Sequence, residues 1–300
     1  MRKTDELLEW RVSSKEAGTR LLQFLRDHCH KAHSVKALKR AIESKLCKVN
    51  QRIETFSSYI LKENDLVALS PHAFEERESP KNTSVLFEDK ELLIINKPVG
   101  VISDNRELNR YFPSFKGKLE LVHRLDKETS GVLILAKTSE AKEKMAALFK
   151  KRAVRKVYLA LVDGVVEKDE GVIDNFLGKK HSYQGQTIYG AVDEKKGQRA
   201  ITSWKCLKRA KTASLLACEP YTGRTHQLRV HLSGMGHPIL GDTQYGKRFR
   251  CPVATHRNLL HAYSISFAHP TTGTEIKTIA PIPSDFKAVL EQLQIKMSSK

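Results

Sequence analysis

Apolar and polar positions along the first 72 residues follow the pattern of two short helices and two short strands. Thr19 can cap the first predicted helix, whose apolar face consists of Leu21, Leu22 and Leu25. Ser34 can cap the second, whose apolar face consists of Val35, Leu38, Ala41 and Ile42. The segments 46–50 and 65–69 then predict strands that bracket a turn. We therefore expect a compact unit of helices and strands over residues 14–72.

A second, larger unit is predicted after residues 71–84, which are polar, contain prolines and show no period. Its strongest signal is the run Val132–Ala136, because an apolar run rich in branched side chains is typical of a strand buried on both faces. Residues 156–162 alternate and predict another strand, with Tyr158 on the less apolar face. Ser139 can cap a helix between these two strands.

The segment before residue 233 carries the most informative pattern after the central run. Alternation over residues 227–232 predicts a strand that buries its apolar positions, Leu228 and Val230. Its polar positions then share the opposite face: Gln227, Arg229 and His231. An arginine on that face can pair with a carboxylate and keep it charged and oriented. Residues 101–122 are loop-like, and residues 164–200 are glycine-rich and polar.

The charge of the chain points to a polyanionic partner. Its formal net charge is +18 and its pI is about 9.7, far from the average soluble protein. Nucleic acid is the first candidate and an anionic membrane surface is the second. No apolar run approaches the roughly 18 residues of a membrane helix, and the N-terminus lacks the apolar core of a signal peptide. We therefore expect a cytoplasmic protein without a membrane partner.

The chain shows no pattern of a metal or phosphate-binding site. Its five cysteines are scattered without a C-x-x-C pair, which indicates reduced thiols. His226 and His231 would lie on opposite faces of the predicted strand, so they are poor joint ligands. The segment Gly241–Lys247 has the glycine spacing of a P-loop, but Arg248 stands where Ser or Thr would bind Mg²⁺. We expect no metal and no cofactor.

Asp126 is the first candidate catalytic residue, because it lies in a polar segment directly before the buried run Val132–Ala136. Arg124 and the N–H groups of the following turn would hold its carboxylate ionised, which suits a nucleophile or a general base. Alternatively, Asp126 pairs with Arg124 or Lys127 in a structural turn, which is the commoner role of an isolated aspartate.

The segment His123-Arg124-Leu125-Asp126, followed by Thr129-Ser130-Gly131, resembles the signature of the RluA-type RNA pseudouridine synthases. Further matches follow in the expected order, and the resemblance covers roughly residues 85–283. It implies an α+β catalytic domain with a mixed, largely antiparallel central sheet and flanking helices. It also implies an isomerase that converts uridine to pseudouridine in structured RNA without a cofactor.

In this resemblance Asp126 is the catalytic residue, although attack on the base, attack on the sugar and proton abstraction all stay open. Tyr158 matches the tyrosine that stacks on the target base, and Arg229 matches the residue that holds the aspartate.

Three further matches concern the RNA. Arg124 would occupy the gap that the extruded base leaves in the helix, and Leu260 would pack beneath that base. Arg224 would contact RNA or support its loop.

The first unit resembles the small αL-type RNA-binding domain named after a ribosomal small-subunit protein. The polar face of its second predicted helix is basic and compact enough to follow a phosphate backbone. Its candidate RNA-binding residues are Lys36, Lys39, Arg40 and Lys45. Asn50-Gln51 departs from the usual Asn-Gly of that domain, so the turn must form without glycine. The alternative is a solvated basic face on an ordinary small α/β domain.

These patterns predict an RNA-binding domain over residues 1–72, a linker over 73–84 and a catalytic domain over 85–300. Two-domain members of the family that this chain resembles act most often on large-subunit ribosomal RNA, so the resemblance implies that partner. We also expect a monomeric enzyme. One rival is a catalytically silent RNA-binding or ribosome-assembly factor on the same fold. A second rival is a hydrolase that cleaves the glycosidic bond and releases the base.

Overall fold

The computed structural model describes residues 8–29, 34–43, 46–70, 84–111, 119–183, 186–246, 248–253 and 255–296. The chain divides into two compact units: residues 1–79 with residues 182–187, and residues 80–181 with residues 188–300. The ranges 1–72, 73–84 and 85–300 stay predictions, and most of the predicted linker lies outside the described residues. Within the described ranges, no helix is long and apolar enough to cross a bilayer.

The first unit contains a four-stranded antiparallel sheet and two helices. Its elements are β1 (Leu8–Arg11), α1 (Leu21–His28), α2 (Val35–Glu43), β2 (Cys47–Val49), β3 (Arg52–Ile53) and β4 (Leu66–Leu69). The strand order is β1-β4-β2-β3. The predicted helices and strands form because their apolar positions meet in one core, in which Leu21, Leu25, Leu38 and Ile42 are fully buried.

The two predicted helix caps of this unit have different outcomes. The prediction for Thr19 is wrong: the N-cap of α1 is Arg20, and the Thr19 hydroxyl donates to the carbonyl of Glu16 at 2.7 Å. The prediction for Ser34 is confirmed, because its hydroxyl oxygen accepts from the N–H of Ala37 at 3.2 Å.

The β2–β3 hairpin turns at Asn50-Gln51 without a glycine. Both residues have positive φ, 51° and 64°, as a two-residue primed turn requires. The Asn50 amide donates to the Asp65 carboxylate at 2.7 Å and accepts from the N–H of Leu66 at 2.9 Å. These hydrogen bonds to β4 and the residue before it offset the strain of the left-handed backbone.

The second unit is built on an 11-stranded sheet. Its strands are β5 (Val85–Glu88), β6 (Leu92–Lys97), β7 (Glu120–Leu121), β8 (Ser130–Ala136), β9 (Arg155–Asp163), β10 (Glu170–Tyr183), β11 (Gln186–Val192), β12 (Gln198–Arg209), β13 (Ala213–Pro220), β14 (Leu260–Ala268) and β15 (Glu275–Ile279). Its helices are α3 (Asn105–Tyr111), α4 (Ser139–Lys150), α5 (Gln227–Gly234) and α6 (Ser284–Gln292).

The sheet order is β11-β10-β12-β13-β9-β14-β8-β6-β5, with β15 paired to β14 and β7 paired to β8. The pair β14–β8 is parallel, and the other pairings whose register is described are antiparallel. The predicted α+β architecture, a mixed and largely antiparallel sheet with flanking helices, is confirmed.

Strand β8 is buried on both faces, as its apolar run predicts. One face packs against α4, and the other packs against α3 and Leu125. Gly131 allows β14 to approach closely: its φ is 113°, and a Cβ there would lie 2.1 Å from the carbonyl oxygen of Ala262. Because Leu125 belongs to this core, the backbone of the residue that follows it is held against the sheet.

Two local predictions in this unit are wrong. Residues 101–122 are not a plain loop, since they contain α3 and β7. The cap of α4 is Thr138, one residue before Ser139, and its hydroxyl accepts from the N–H of Ala141 at 3.1 Å.

The glycine-rich, polar residues 164–200, for which the sequence indicates no particular element, include the strands β10 and β11. A polar segment can form strands at the end of a sheet, where alternate side chains face water.

The predicted strand over residues 227–232 is also wrong, because the segment is the helix α5. Every residue from Gln227 to Leu232 is buried, so polarity does not mark a solvent face here. The Gln227 side-chain oxygen accepts from the Thr222 hydroxyl at 2.6 Å and from the N–H of Arg224 at 3.0 Å. Internal hydrogen bonds thus satisfy polar side chains that the alternation assigned to the surface.

Candidate active site

A cleft of about 560 Å³ opens in the second unit beside β9, the start of β14, and the N-terminal end of α5. Its lining includes every site residue that the sequence predicts for this unit: Asp126, Tyr158, Arg229, Arg124, Leu260 and Arg224. The fold therefore brings together residues that are up to 136 positions apart, from Arg124 to Leu260.

The loop that carries Asp126 is held on both sides. Before it, the Ser103 hydroxyl donates to the carbonyl of Leu125 at 2.8 Å and accepts from its N–H at 3.1 Å. After it, the N–H of Thr129 donates to the carbonyl of Asp126 at 3.0 Å. The Asp126 side chain is 30% exposed, so the fixed backbone presents its carboxylate to the cleft.

Lys97 supports the same loop from the core side. Its side chain is fully buried, and Nζ donates to the carbonyls of Pro98 and Val101 at 3.0 Å and of Lys127 at 3.4 Å. Burial lowers the pKa of Lys97 to about 7, although the negative charge of Asp126 acts in the opposite direction. The buried amine thus ties the turn after β6 to the residue next to Asp126.

Arg229 is the charged partner of Asp126. Its Nη1 lies 3.4 Å from Oδ2 of Asp126. The guanidinium also binds Asp242, with Nε 2.6 Å from Oδ2 and Nη2 2.9 Å from Oδ1, and Nη2 donates to Gln244 Oε1 at 2.8 Å. Because Asp242 and Gln244 occupy one edge of the fork, Nη1 is aimed at Asp126.

The environment of Arg229 keeps its charge in place. Its side chain is 9% exposed, and this burial opposes ionisation. The hydrogen bonds to Asp242 and the negative charges of Asp242 and Asp126 outweigh the effect of burial, and they raise the pKa of Arg229 above its ordinary value. The Tyr245 ring packs against the guanidinium at 4.9 Å. A distant arginine thus acts on Asp126, whereas the neighbouring Arg124 has an exposed side chain.

Tyr158 and Leu260 form an apolar wall of the cleft. They lie on neighbouring antiparallel strands, where Tyr158 pairs with Ala262 and Leu260 pairs with Ala160. Burial, together with the negative charge of Asp126, raises the pKa of Tyr158, so its phenol is neutral at physiological pH. An aromatic face beside a buried leucine can hold a flat ring next to the carboxylate.

A basic rim surrounds the mouth of the cleft. Arg124, Arg152 and Arg224 are exposed, and Arg224 donates through Nε to the carbonyl of Arg199 at 3.1 Å. Lys156 lies deeper, and burial lowers its pKa to about 8. Positive groups around a concave surface are suited to phosphate oxygens.

Three residues that organise the site were not expected from the sequence patterns: Asp242, Gln244 and Tyr245. They lie in the segment whose glycine spacing resembles a P-loop, and residues 243–245 form a turn. Asp242 is 2% exposed, as expected for an acid that neutralises a buried arginine. The signal available in the sequence was that Asp242 is the only acidic residue between Glu219 and Glu275.

The predicted RNA-binding residues of the first unit are described only in part. Lys36, Lys39 and Arg40 belong to α2, and the Lys39 side chain is exposed. Lys45 lies outside the described residues. Of the predicted apolar face of α2, Leu38, Ala41 and Ile42 are buried. The prediction is wrong for Val35, which lies at the first position of the helix and is 48% exposed.

Comparison with known proteins is consistent with this geometry. A family model described as RNA pseudouridylate synthase matches residues 91–234, a range that contains Asp126, Tyr158 and Arg229. Ribosomal large subunit pseudouridine synthase D of Zymomonas mobilis is 35% identical over 233 residues, which cover 70% of this chain and 73% of that protein. Ribosomal large subunit pseudouridine synthase C of Pasteurella multocida is 33% identical over 312 aligned positions, which cover 96% of this chain and 94% of that protein.

A solved structure shares the architecture. The structure of human RNA Pseudouridylate Synthase Domain Containing 4 superimposes with a TM-score of 0.61 at 29% sequence identity. The match covers 72% of this chain and 95% of the human chain. It therefore extends over nearly all of the human chain.

Proposed function

The chain belongs to the RluA-type RNA pseudouridine synthases, and on this premise we propose that it isomerises uridines of large-subunit ribosomal RNA with Asp126 as the catalytic residue and without a cofactor. The observation that carries the proposal is the 3.4 Å contact between Arg229 and Asp126 at a cleft that Tyr158 also lines. Relatives named for the large ribosomal subunit support the choice of RNA.

The reaction explains why this set of groups suffices. The bond between N1 of uracil and C1′ of ribose breaks, the base turns, and a bond between C5 and C1′ forms. C5 loses a proton and N1 gains one, so neither an oxidant nor a phosphate donor is required. A carboxylate must act at the junction of sugar and base, and an aromatic face must hold the extruded base. Asp126 and Tyr158 supply these groups, and Arg229 orients the carboxylate.

The remaining cleft residues serve the RNA. An extruded uracil would stack on Tyr158, and Leu260 of the same wall would pack beneath it. Extrusion of the base costs on the order of a few kcal/mol, and stacking on an aromatic ring offsets about 1–3 kcal/mol of this cost per base. We assign Arg124, which is exposed on the rim, to the gap in the RNA helix, and Arg224 to a neighbouring phosphate.

Asp126→Asn tests the proposal, because the amide keeps the shape of the side chain and removes its charge. RNA with tritium at C5 of uridine reports the reaction through release of tritium to water. We expect the single-turnover rate to fall by at least about a thousandfold, while RNA affinity stays within about threefold of wild type. Asp193→Asn is the matched control, since Asp193 is exposed and does not line the cleft.

The same assay separates the rival functions. Wild-type turnover by Asp126→Asn would reject the assignment of Asp126. Binding of RNA by the wild-type protein without tritium release would favour a silent assembly factor. Free uracil together with abasic RNA would favour a hydrolase.

The choice of RNA is tested by mapping pseudouridines in total RNA from cells with and without the gene. We expect sites to disappear from large-subunit ribosomal RNA, and loss confined to transfer RNA would contradict the choice. Such a substrate places the enzyme in the cytoplasm. We also propose a monomer, because Asp126, Tyr158 and Arg229 come from one chain.

We further propose that the basic face of α2 binds RNA. Replacing Lys36, Lys39 and Arg40 together by glutamine should reduce the salt dependence of RNA binding, by about 0.9 in the log–log slope for each phosphate that these side chains neutralise in the wild type. The matched control replaces the three exposed lysines Lys195, Lys196 and Lys205, which lie outside the cleft lining. An unchanged slope in the α2 variant, or an equal change in the control, would contradict an RNA-binding role for α2.

A further inference from the structure

His226 borders the cleft next to Asp126, and the roles above do not use it. Its Nε2 lies 4.0 Å from Oδ1 of Asp126, whereas Arg229 approaches Oδ2 of the same carboxylate. The two oxygens of Asp126 therefore have different neighbours: a guanidinium on one side and an imidazole on the other.

The other nitrogen of this imidazole meets a tyrosine. Nδ1 of His226 lies 2.8 Å from the hydroxyl oxygen of Tyr245. That oxygen also accepts a hydrogen bond from the backbone N–H of Tyr189, at 3.2 Å. Among the residues that the structure describes, the one acceptor within hydrogen-bond distance for the Tyr245 hydroxyl proton is Nδ1 of His226.

These contacts determine where His226 carries its proton. If Nδ1 donated to Tyr245, the phenol oxygen would receive two donors and its own proton would have no acceptor. If Tyr245 donates to Nδ1, each group is satisfied. A neutral His226 then carries its proton on Nε2, the nitrogen that faces Asp126.

Packing holds this imidazole in one orientation. The rings of Tyr189 and Tyr245 meet it edge to face, with centroids 5.8 Å and 5.6 Å away and interplanar angles of 77° and 78°. The Tyr245 ring also packs against the guanidinium of Arg229 at 4.9 Å. Tyr245 thus contacts both side chains that approach Asp126.

We propose that Tyr245 is a positioning residue that fixes the Nε2–H tautomer of His226, so that His226 offers a hydrogen-bond donor to Oδ1 of Asp126 while Arg229 holds Oδ2. This inference rests on the proposed catalytic role of Asp126. A contraction of about 1 Å when RNA binds would bring Nε2 and Oδ1 to hydrogen-bond distance.

The charges around His226 favour the neutral ring that the tautomer requires. Burial, followed by the positive charge of Arg229, lowers the pKa of His226, and the negative charges of Asp126 and Asp242 oppose this shift. The Tyr245 hydroxyl donates to the lone pair of Nδ1, which only the neutral ring has. Removing this hydroxyl should therefore raise the pKa of His226.

Nitrogen-15 NMR of the full-length protein without RNA tests the tautomer directly. The signals of His226 are identified by their absence from His226→Gln. We expect Nε2 protonated and Nδ1 bare in the wild type, and a mixture of tautomers in Tyr245→Phe, which keeps the ring against Arg229. A wild-type ring protonated on Nδ1 would overturn the proposal. Because no RNA is present, this result does not depend on the role of Asp126.

Kinetics test the consequence. Tyr245→Phe should lower the single-turnover rate roughly threefold to tenfold, the effect of one hydrogen bond, with RNA affinity unchanged. Protonation of Nδ1 keeps the Nε2–H donor but adds a second positive charge beside Asp126, which makes the carboxylate less reactive, so the acid limb of the Tyr245→Phe pH–rate profile should move to higher pH. Tyr263→Phe, the same change outside the cleft, should behave as wild type. An unchanged rate and acid limb in Tyr245→Phe, or a loss that appears only as weaker RNA binding, would reject the positioning role.

A matched pair at His226 provides a test that does not depend on the folding of Tyr245→Phe. The amide nitrogen of glutamine reaches the place of Nε2, and that of asparagine reaches the place of Nδ1. His226 has φ of 55°, a conformation that asparagine tolerates well, so backbone strain would not explain a loss in His226→Asn. We expect His226→Gln to keep more of the rate than His226→Asn. Equal losses, or the reverse order, would overturn the proposal.

Discussion

Replacing Asp242 by asparagine should cost far more stability than the same replacement at Asp174, although the two aspartates hold their arginines with similar geometry. Asp242 accepts from Arg229 at 2.6 Å and 2.9 Å. Asp174 accepts from Arg199 at 2.9 Å and 2.6 Å. The side chains of the first pair are 9% and 1% exposed, and those of the second pair are 58% and 39% exposed. The two pairs therefore differ mainly in burial, and Oδ1 of Asp242 also accepts from the backbone N–H groups of Gln244 and Tyr245, at 3.1 Å and 3.2 Å.

The magnitude follows from that difference. Removing one partner of a buried pair costs about 3–5 kcal/mol, and asparagine keeps one acceptor, so we expect about 3 kcal/mol for Asp242→Asn. An exposed pair contributes about 0–1 kcal/mol, which bounds the loss in Asp174→Asn. For a domain of about 200 residues, 1 kcal/mol corresponds to about 2–4 °C, so Tm should fall by about 6–12 °C in the first variant and by at most about 4 °C in the second.

Activity should separate the two variants further. Without the Asp242 carboxylate, the fork of Arg229 no longer has the partner that aims Nη1 at Asp126, and we expect the single-turnover rate to fall at least about tenfold. Asp174→Asn should keep the wild-type rate. Calorimetry and tritium release measure the two effects on the same samples. Equal Tm shifts would refute the argument from burial, and a wild-type rate in Asp242→Asn would show that this carboxylate does not position Arg229.

Three further substitutions probe the cleft. Tyr158→Leu removes the stacking face and should lower turnover by about 5-fold to 150-fold, and an unchanged rate would contradict base stacking. Tyr221 lines the rim and is 54% exposed, so Tyr221→Ala should weaken RNA affinity several-fold at unchanged turnover if it stacks on a flanking base. Lys156 loses its charge as pH rises through its pKa of about 8, so RNA affinity measured by fluorescence anisotropy should decline from about pH 7 to pH 9. Lys156→Arg should abolish that decline.

The central strand β8 could be predicted from the sequence because its signal lies within one continuous segment of the chain. A strand buried on both faces needs a continuous apolar run, and Val132–Ala136 provides it whatever the neighbouring strands are. The helix α2 is a similar case, since its apolar positions repeat with the period of a helix. Where the sequence pattern of an element determines which of its residues are buried, the element can be predicted without knowledge of its tertiary contacts.

The helix α5 could not be predicted in the same way. Alternation of polar and apolar residues indicates a strand only where polar side chains face water. Residues 227–232 of α5 are buried irrespective of polarity, because β12 and the loop before α5 supply hydrogen-bond partners, such as Thr202 for His231 at 2.9 Å. The partners in β12 are remote in sequence, so the alternation alone indicated the wrong period. The pairing of Arg229 with Asp126 was nevertheless expected, because it came from the family resemblance and not from the strand.

The role of Asp242, the second carboxylate that contacts Arg229, could have been inferred by physical reasoning. An arginine that faces a partly exposed aspartate at 3.4 Å gains too little from that contact to offset its own burial, so a buried cation of this kind needs another acid. Between Glu219 and Glu275 the chain contains one acidic residue, Asp242, and it lies 13 positions after Arg229. A lone acid in a long basic and apolar stretch is therefore a signal of its own. It identifies the residue on which the arginine of a catalytic ion pair depends, even where the secondary structure of the segment is misjudged.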